Sequence, residues 1–194
     1  MARSRRECYG ARVRRRATAS PVLCALFLGA CPNDQPGDPL DPELLVELAE
    51  AGGDGRGEAL TGRYLTGATV LDCDCPQRMG VDLCGGGTAQ LIGLDGPAAV
   101  VQTGGWLTFT PEAALLPWAL SGAVERDRTF VIAGVSALAV GLFTIRLHAR
   151  VDGEFDARQR LDGELAHRLL GELPDGPVDC RATYALHGEP VPGT

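Results

Sequence analysis

The chain has 194 residues, with 18 basic and 25 acidic side chains, a formal net charge of −7 and 45% hydrophobic residues. Every basic residue is an arginine. A chain of this size can bury a real core, and its acidity opposes binding to nucleic acid or to anionic lipid headgroups.

The first thirty residues have a different character from the rest. Arg3, Arg5, Arg6, Arg12, Arg14, Arg15 and Arg16 precede an uncharged stretch from Pro21 to Ala30, which is too short to span a bilayer. A basic start followed by a short apolar run is the layout of an export signal. Its last residues, Leu28-Gly29-Ala30-Cys31, resemble the lipobox of bacterial lipoproteins: a leucine, two small residues and a cysteine. That resemblance implies removal of residues 1 to 30 as a signal peptide and a lipid anchor on Cys31. Pro32, standing where some families carry an aspartate, then implies sorting to the outer membrane, facing the periplasm or the cell surface. Cys24 fits the pattern less well, with Pro21 three residues before it. Ser4-Arg5-Arg6 resembles the start of a twin-arginine signal, but Cys8 and Tyr9 take the places of bulky apolar residues. The leader holds seven of the arginines and Glu7, so the chain from Cys31 onward has 11 basic and 24 acidic residues, a net charge of −13.

Residues 31 to 57 read as a tether carrying one short helix. Pro32, Pro36 and Pro39 lie at one end and Gly52-Gly53-Asp54-Gly55 at the other. Between them Asp41 is placed to cap a helix that has Pro42 at its first position and Glu43 in its first turn, and that Gly52 ends. Leu44, Leu45 and Leu48 share one side of this helix and offer a cap for the domain that follows.

Residues 58 to 194 read as an all-β domain, an antiparallel meander of eight to ten strands closed into a barrel or packed as a sandwich. Asp95-Gly96, Asp152-Gly153 and Asp162-Gly163 stand between apolar residues and predict hairpin turns, and Gly104-Gly105 predicts a fourth. Ile145, Leu147, Ala149 and Val151 alternate with Thr144, Arg146, His148 and Arg150, which is the period of a half-buried strand. A three-residue turn from Asp152 to Glu154 keeps the apolar faces together. It pairs Val151 with Phe155, Ala149 with Ala157 and Ile145 with Leu161, and sets Arg150 beside Asp156. Continuing that parity places Gln159 and His167 inside. All eight aromatics beyond the leader fall on proposed strands and read as core. Thr129 to Ile145 carries no charge over 17 positions. Gly134, Ser136 and Gly141 dilute this run, and it reads as two buried strands around a turn near Gly141 rather than as a membrane helix.

Four cysteines follow Cys31. An even number suits two disulfides in an oxidising compartment. Cys73 and Cys75, two apart on a strand, are badly placed to bridge each other. One of them is therefore expected to join Cys180 and the other Cys84. No metal is expected, because Cys-Asp-Cys with Cys84 is not a usual zinc spacing and no histidine lies close by in the sequence.

No catalytic constellation emerges, and the chain reads as a non-enzyme without a cofactor. Gly134-Val135-Ser136-Ala137-Leu138 lacks the last glycine of a nucleophile elbow, and Gly85-Gly86-Gly87 lacks the lysine and hydroxyl of a phosphate loop. Asp72 and Asp74 read as solvent-facing. Leu60-Thr61-Gly62-Arg63-Tyr64, with the meander and the late Cys180, resembles the opening and closing of lipocalin-like barrels, although Tyr64 stands in place of that family's tryptophan. Two functions follow as expectations. The first is a lipoprotein acting as a structural or interaction module of the cell envelope, held to the membrane at Cys31 and meeting an envelope protein. The second is a carrier of a small apolar ligand in a cavity reached by Gln159 and His167.

Overall fold

The computed structural model describes residues 37 to 193, apart from 79, 85–87, 115–116 and 141–142. The lipobox and Cys31 lie outside the described residues. Among the described residues ten strands are present, and eight close into an antiparallel barrel. Strand β1 (Gly62–Cys73) pairs on one side with β4 (Gly96–Thr103). The meander continues through β5 (Trp106–Pro111), β6 (Leu120–Val124), β7 (Thr129–Val140), β8 (Phe143–Phe155), β9 (Leu161–Leu173) and β10 (Gly176–Pro190), which returns to β1. Each neighbour follows its predecessor in the chain, apart from an excursion between β1 and β4. That excursion holds a two-stranded ribbon, β2 (Gln77–Arg78) and β3 (Val81–Asp82), and one helical turn, α2 (Thr88–Leu91).

The excursion plugs one end of the barrel. Leu83, Ala89, Ile92 and Leu94 are buried within the main core, and the Trp118 indole donates to the Ile92 carbonyl at 2.7 Å. Trp118 therefore does belong to the core, but from the connection before β6 rather than from a strand. Gly93 lies against that connection with φ +67, and a Cβ there would sit 2.4 Å from the Ala114 nitrogen. Only glycine fits both the backbone conformation and the space. Two disulfides staple the plug's first residues, Cys73 to Cys84 and Cys75 to Cys180.

The three Asp-Gly pairs do not make the expected hairpins. β8 runs straight through Asp152-Gly153 and β9 through Asp162-Gly163, so that Gly153 and Gly163 face each other across the ladder. Phe130 pairs with Gly153 on the other side, and its ring would be 2.7 Å from a Cβ at that position. Glycine here makes room for an aromatic side chain instead of a turn. The reversal lies later, between Phe155 and Leu161, where the Asp156 carboxylate accepts from the Arg158 and Arg160 amides at 2.7 and 2.9 Å. The pairings change accordingly, with Val151 opposite Leu165, Ala149 opposite His167 and Ile145 opposite Gly171. Arg150 binds Asp152 on its own strand, and Arg160 binds Asp156. Parity survives the shift, for Val151 and Phe155 are both buried on the inner face. Gly104-Gly105 is the two-residue turn expected, with Thr103 paired to Trp106. The uncharged run forms β7 and the start of β8, with Val140 opposite Phe143.

Helix α1 (Pro42–Glu50) begins as its sequence predicts: the Asp41 carboxylate accepts from the amides of Glu43 and Leu44. It lies across the outer wall of β6, β7 and β8. Leu40 and Leu45 are buried there with Ala133, forming a second apolar cluster that includes Leu48 and Ala166. The glycines after the helix are also fastened, since Gly53 donates to Gly105 and Gly55 to Val124 at the end of the barrel opposite the plug. The described part of the expected tether is thus a strap packed on the barrel, and the described residues form one compact unit.

Candidate functional site

A carrier of this architecture would hold its ligand in the barrel interior. Toward the end away from the plug, Phe155 packs against Tyr64 and Phe130 with ring centroids 5.8 and 5.1 Å apart. Phe109, Leu107, Leu120, Ile132, Leu165 and Leu147 are 0 to 2% exposed. A cavity large enough for one water would leave its lining accessible, so this region is filled with side chains.

Polar groups inside are few, and nearly all are satisfied. Gln102 accepts from the Leu60 amide and donates to the Gly104 carbonyl, and Thr66 donates to the carbonyls of Leu94 and Gly96. Thr88 donates to Leu83, and His148, on the outer wall beneath the strap, meets the Leu40 carbonyl through Nδ1 at 3.2 Å. His167 and Tyr184 are the exceptions. His167 is fully buried, neither ring nitrogen has a hydrogen-bond partner, and it stacks on Tyr184 at 5.5 Å with the rings 14° from parallel. Desolvation lowers the His167 pKa to about 4, so the imidazole is neutral at physiological pH. The Tyr184 hydroxyl approaches Thr88 without reaching full hydrogen-bond geometry, and burial raises its pKa. Opposite His167 on the two neighbouring strands stand Ala149 and Ala182.

Gln159 is not part of this site. It sits in the turn after β8 with φ +63 and donates to the Ala59 carbonyl at 2.8 Å. The expected inward parity fails because the residue falls in the reversal and not on a strand. It lines a surface crevice of about 310 Å³ with Thr61, Arg63 and Pro190. Another crevice, of about 390 Å³, is also external, on the outer face of β8 and β9 beside Arg146 and Glu172.

The four disulfide cysteines gather beside the plug. Asp74 lies within 4.8 Å of the Cys75 and Cys180 sulfurs, but both sulfurs are engaged with each other. The Asp74 carboxylate instead accepts from the Arg181 amide, an interaction between β10 and the residue following β1 that the sequence did not signal. No helix among the described residues is long and apolar enough to cross a membrane. No family model, curated protein or solved structure matches this chain.

Proposed function

We propose that this chain is a bacterial lipoprotein, anchored through lipid on Cys31, whose disulfide-bonded barrel serves as a structural or interaction module of the cell envelope. The filled interior carries this reading: aromatic and aliphatic side chains occupy the space a carrier would reserve for its cargo, leaving the outer surface for recognition. The two disulfides support an oxidising compartment, in agreement with an exported chain. The carrier reading has His167 and Tyr184 in its favour, since buried polar groups without partners call for an explanation. It has no room around them.

Labelled fatty acid fed to an expressing bacterial host tests the anchor. Label should appear on the wild type and vanish with Cys31→Ala, whereas a labelled mutant would refute attachment at this residue.

A further inference from the structure

Because residues 38 to 57 are fastened to the barrel, the reach of an anchor at Cys31 depends on the chain between Cys31 and Gly37. Those six residues span at most about 20 Å. Their starting point is also defined. Asp38 is ion-paired with Arg181 of β10 and, at 3.6 Å, with Arg168 of β9, so the described chain begins over these two strands. The Asp74 amide donates to the Arg181 carbonyl at 3.0 Å, which makes β1 the adjacent strand, about 5 Å away. On β1, Leu65 and Leu71 are 60% and 57% exposed, more than any other exposed large hydrophobic residue described. Leu71 falls within a register shift between Val70 and Asp72 and pairs with nothing on β10. Such a bulge re-aims the residues around it. Leu71 is three residues before Asp74, about 10 Å along the strand, and so within reach of the anchor.

The geometry points to the outer face of β1 as the surface that rests on the membrane, with a zwitterionic lipid surface as its partner; this rests on the anchor proposed above. Asp72, Asp95 and Glu189 are exposed on or beside this wall, and the chain from Cys31 onward is strongly acidic, so anionic headgroups are repelled while zwitterionic ones are not. The strap's own outer side is a poorer choice, for Val46 stands there among exposed Asp41, Glu43, Glu47 and Glu50. A few aliphatic side chains bind a bilayer weakly by themselves. The anchor raises their effective concentration, so that weak contacts suffice to orient the barrel.

The test separates surface from anchor by attaching the lipid chemically. In the chain from Cys31 to Thr194 the other four cysteines are paired, so a thiol-reactive diacyl lipid goes to Cys31 without cellular acylation. A fluorescent amino acid is placed at Leu71 or at Val46, and the conjugate is bound to phosphatidylcholine vesicles with brominated acyl chains. Quenching at position 71 should exceed that at 46 by about twofold or more, and should fall with Leu65→Ser or when phosphatidylglycerol is included. Equal quenching at the two positions, or more at 46, overturns the assigned face. Stronger quenching at 71 on phosphatidylglycerol overturns the assigned headgroup. Loss of the anchor reading would show separately, as absent fatty-acid label on Cys31 in cells.

Discussion

Burial without a partner makes His167 an acid-sensitive residue. With a pKa near 4 in the fold and 6.5 when unfolded, it binds more protons in the unfolded chain between those values. Stability is therefore whole above about pH 6.5 and falls as pH drops toward 4, by about 3 kcal/mol from this group. Asp38, Asp54, Asp127, Asp156 and Asp179 also have lowered pKa values, the first four chiefly through backbone or hydroxyl hydrogen bonds and Asp179 through Arg168. Their contributions are lost at lower pH, below the ordinary carboxylate value, which leaves the upper window to the histidine. Urea midpoints measured from pH 7 to 4.5 should thus decline in the wild type and flatten in His167→Leu, which removes the unpaired nitrogens while keeping an apolar side chain. An unchanged decline in the variant would show that the imidazole is hydrated in solution. Phe155 and Asp156 form a second contrast between neighbours. Phe155→Ala leaves a cavity between the Tyr64 and Phe130 rings and should cost about 3 to 5 kcal/mol. Asp156→Ala removes the carboxylate that closes the turn and should lower the midpoint by less. The reverse order would mean that the turn, and not the core, dictates this hairpin.

At the level of elements, what could be read from the chain depended on whether the signal was local. Helix α1 was legible because Asp41, Pro42 and Glu43 define its start within three residues. The inward parity of His167 was legible because alternation along a strand survives a change of turn. The turn itself was not, since Asp152-Gly153 matches a hairpin signal while Gly153 serves the packing of Phe130 on a neighbouring strand, a contact that no local pattern reports. The fate of the strap was hidden for the same reason, as Leu45 finds Ala133 on β7 only once the barrel exists. The cysteines fall between these cases: spacing excluded one pairing, and the plug decided the rest. The two bridges span very different separations, 105 residues for Cys75–Cys180 and 11 for Cys73–Cys84. In the chain-entropy account these are worth about 4.7 and 3 kcal/mol. The double variant Cys75→Ser/Cys180→Ser should accordingly unfold at lower urea than Cys73→Ser/Cys84→Ser. Equal midpoints would indicate that the plug's apolar residues, and not its staple to β10, hold that end of the barrel shut.

On the scale of the whole molecule, the strap joins the question of stability to that of position. If Cys31 carries the proposed lipid, a freely hanging tether from residue 31 to 57 would let the barrel wander tens of ångströms from the bilayer. A packed strap would hold it close, and force on that anchor would act through Asp38, Leu40 and Leu45 onto β7 to β10. The barrel closes its ladder without the strap, because β1 to β10 contain every pairing that seals it. What the strap adds is cover for Ala133, His148 and Ala166, together with the glycine bonds at the barrel's far end. A chain beginning at residue 58 should therefore keep the circular dichroism of the β fold but unfold at a lower urea concentration, since Leu40 and Leu45 no longer bury their side chains and the wall beneath them is wetted. An unchanged midpoint would show that the strap contributes nothing beyond reach, and a loss of the β signal would show that the barrel cannot close without it.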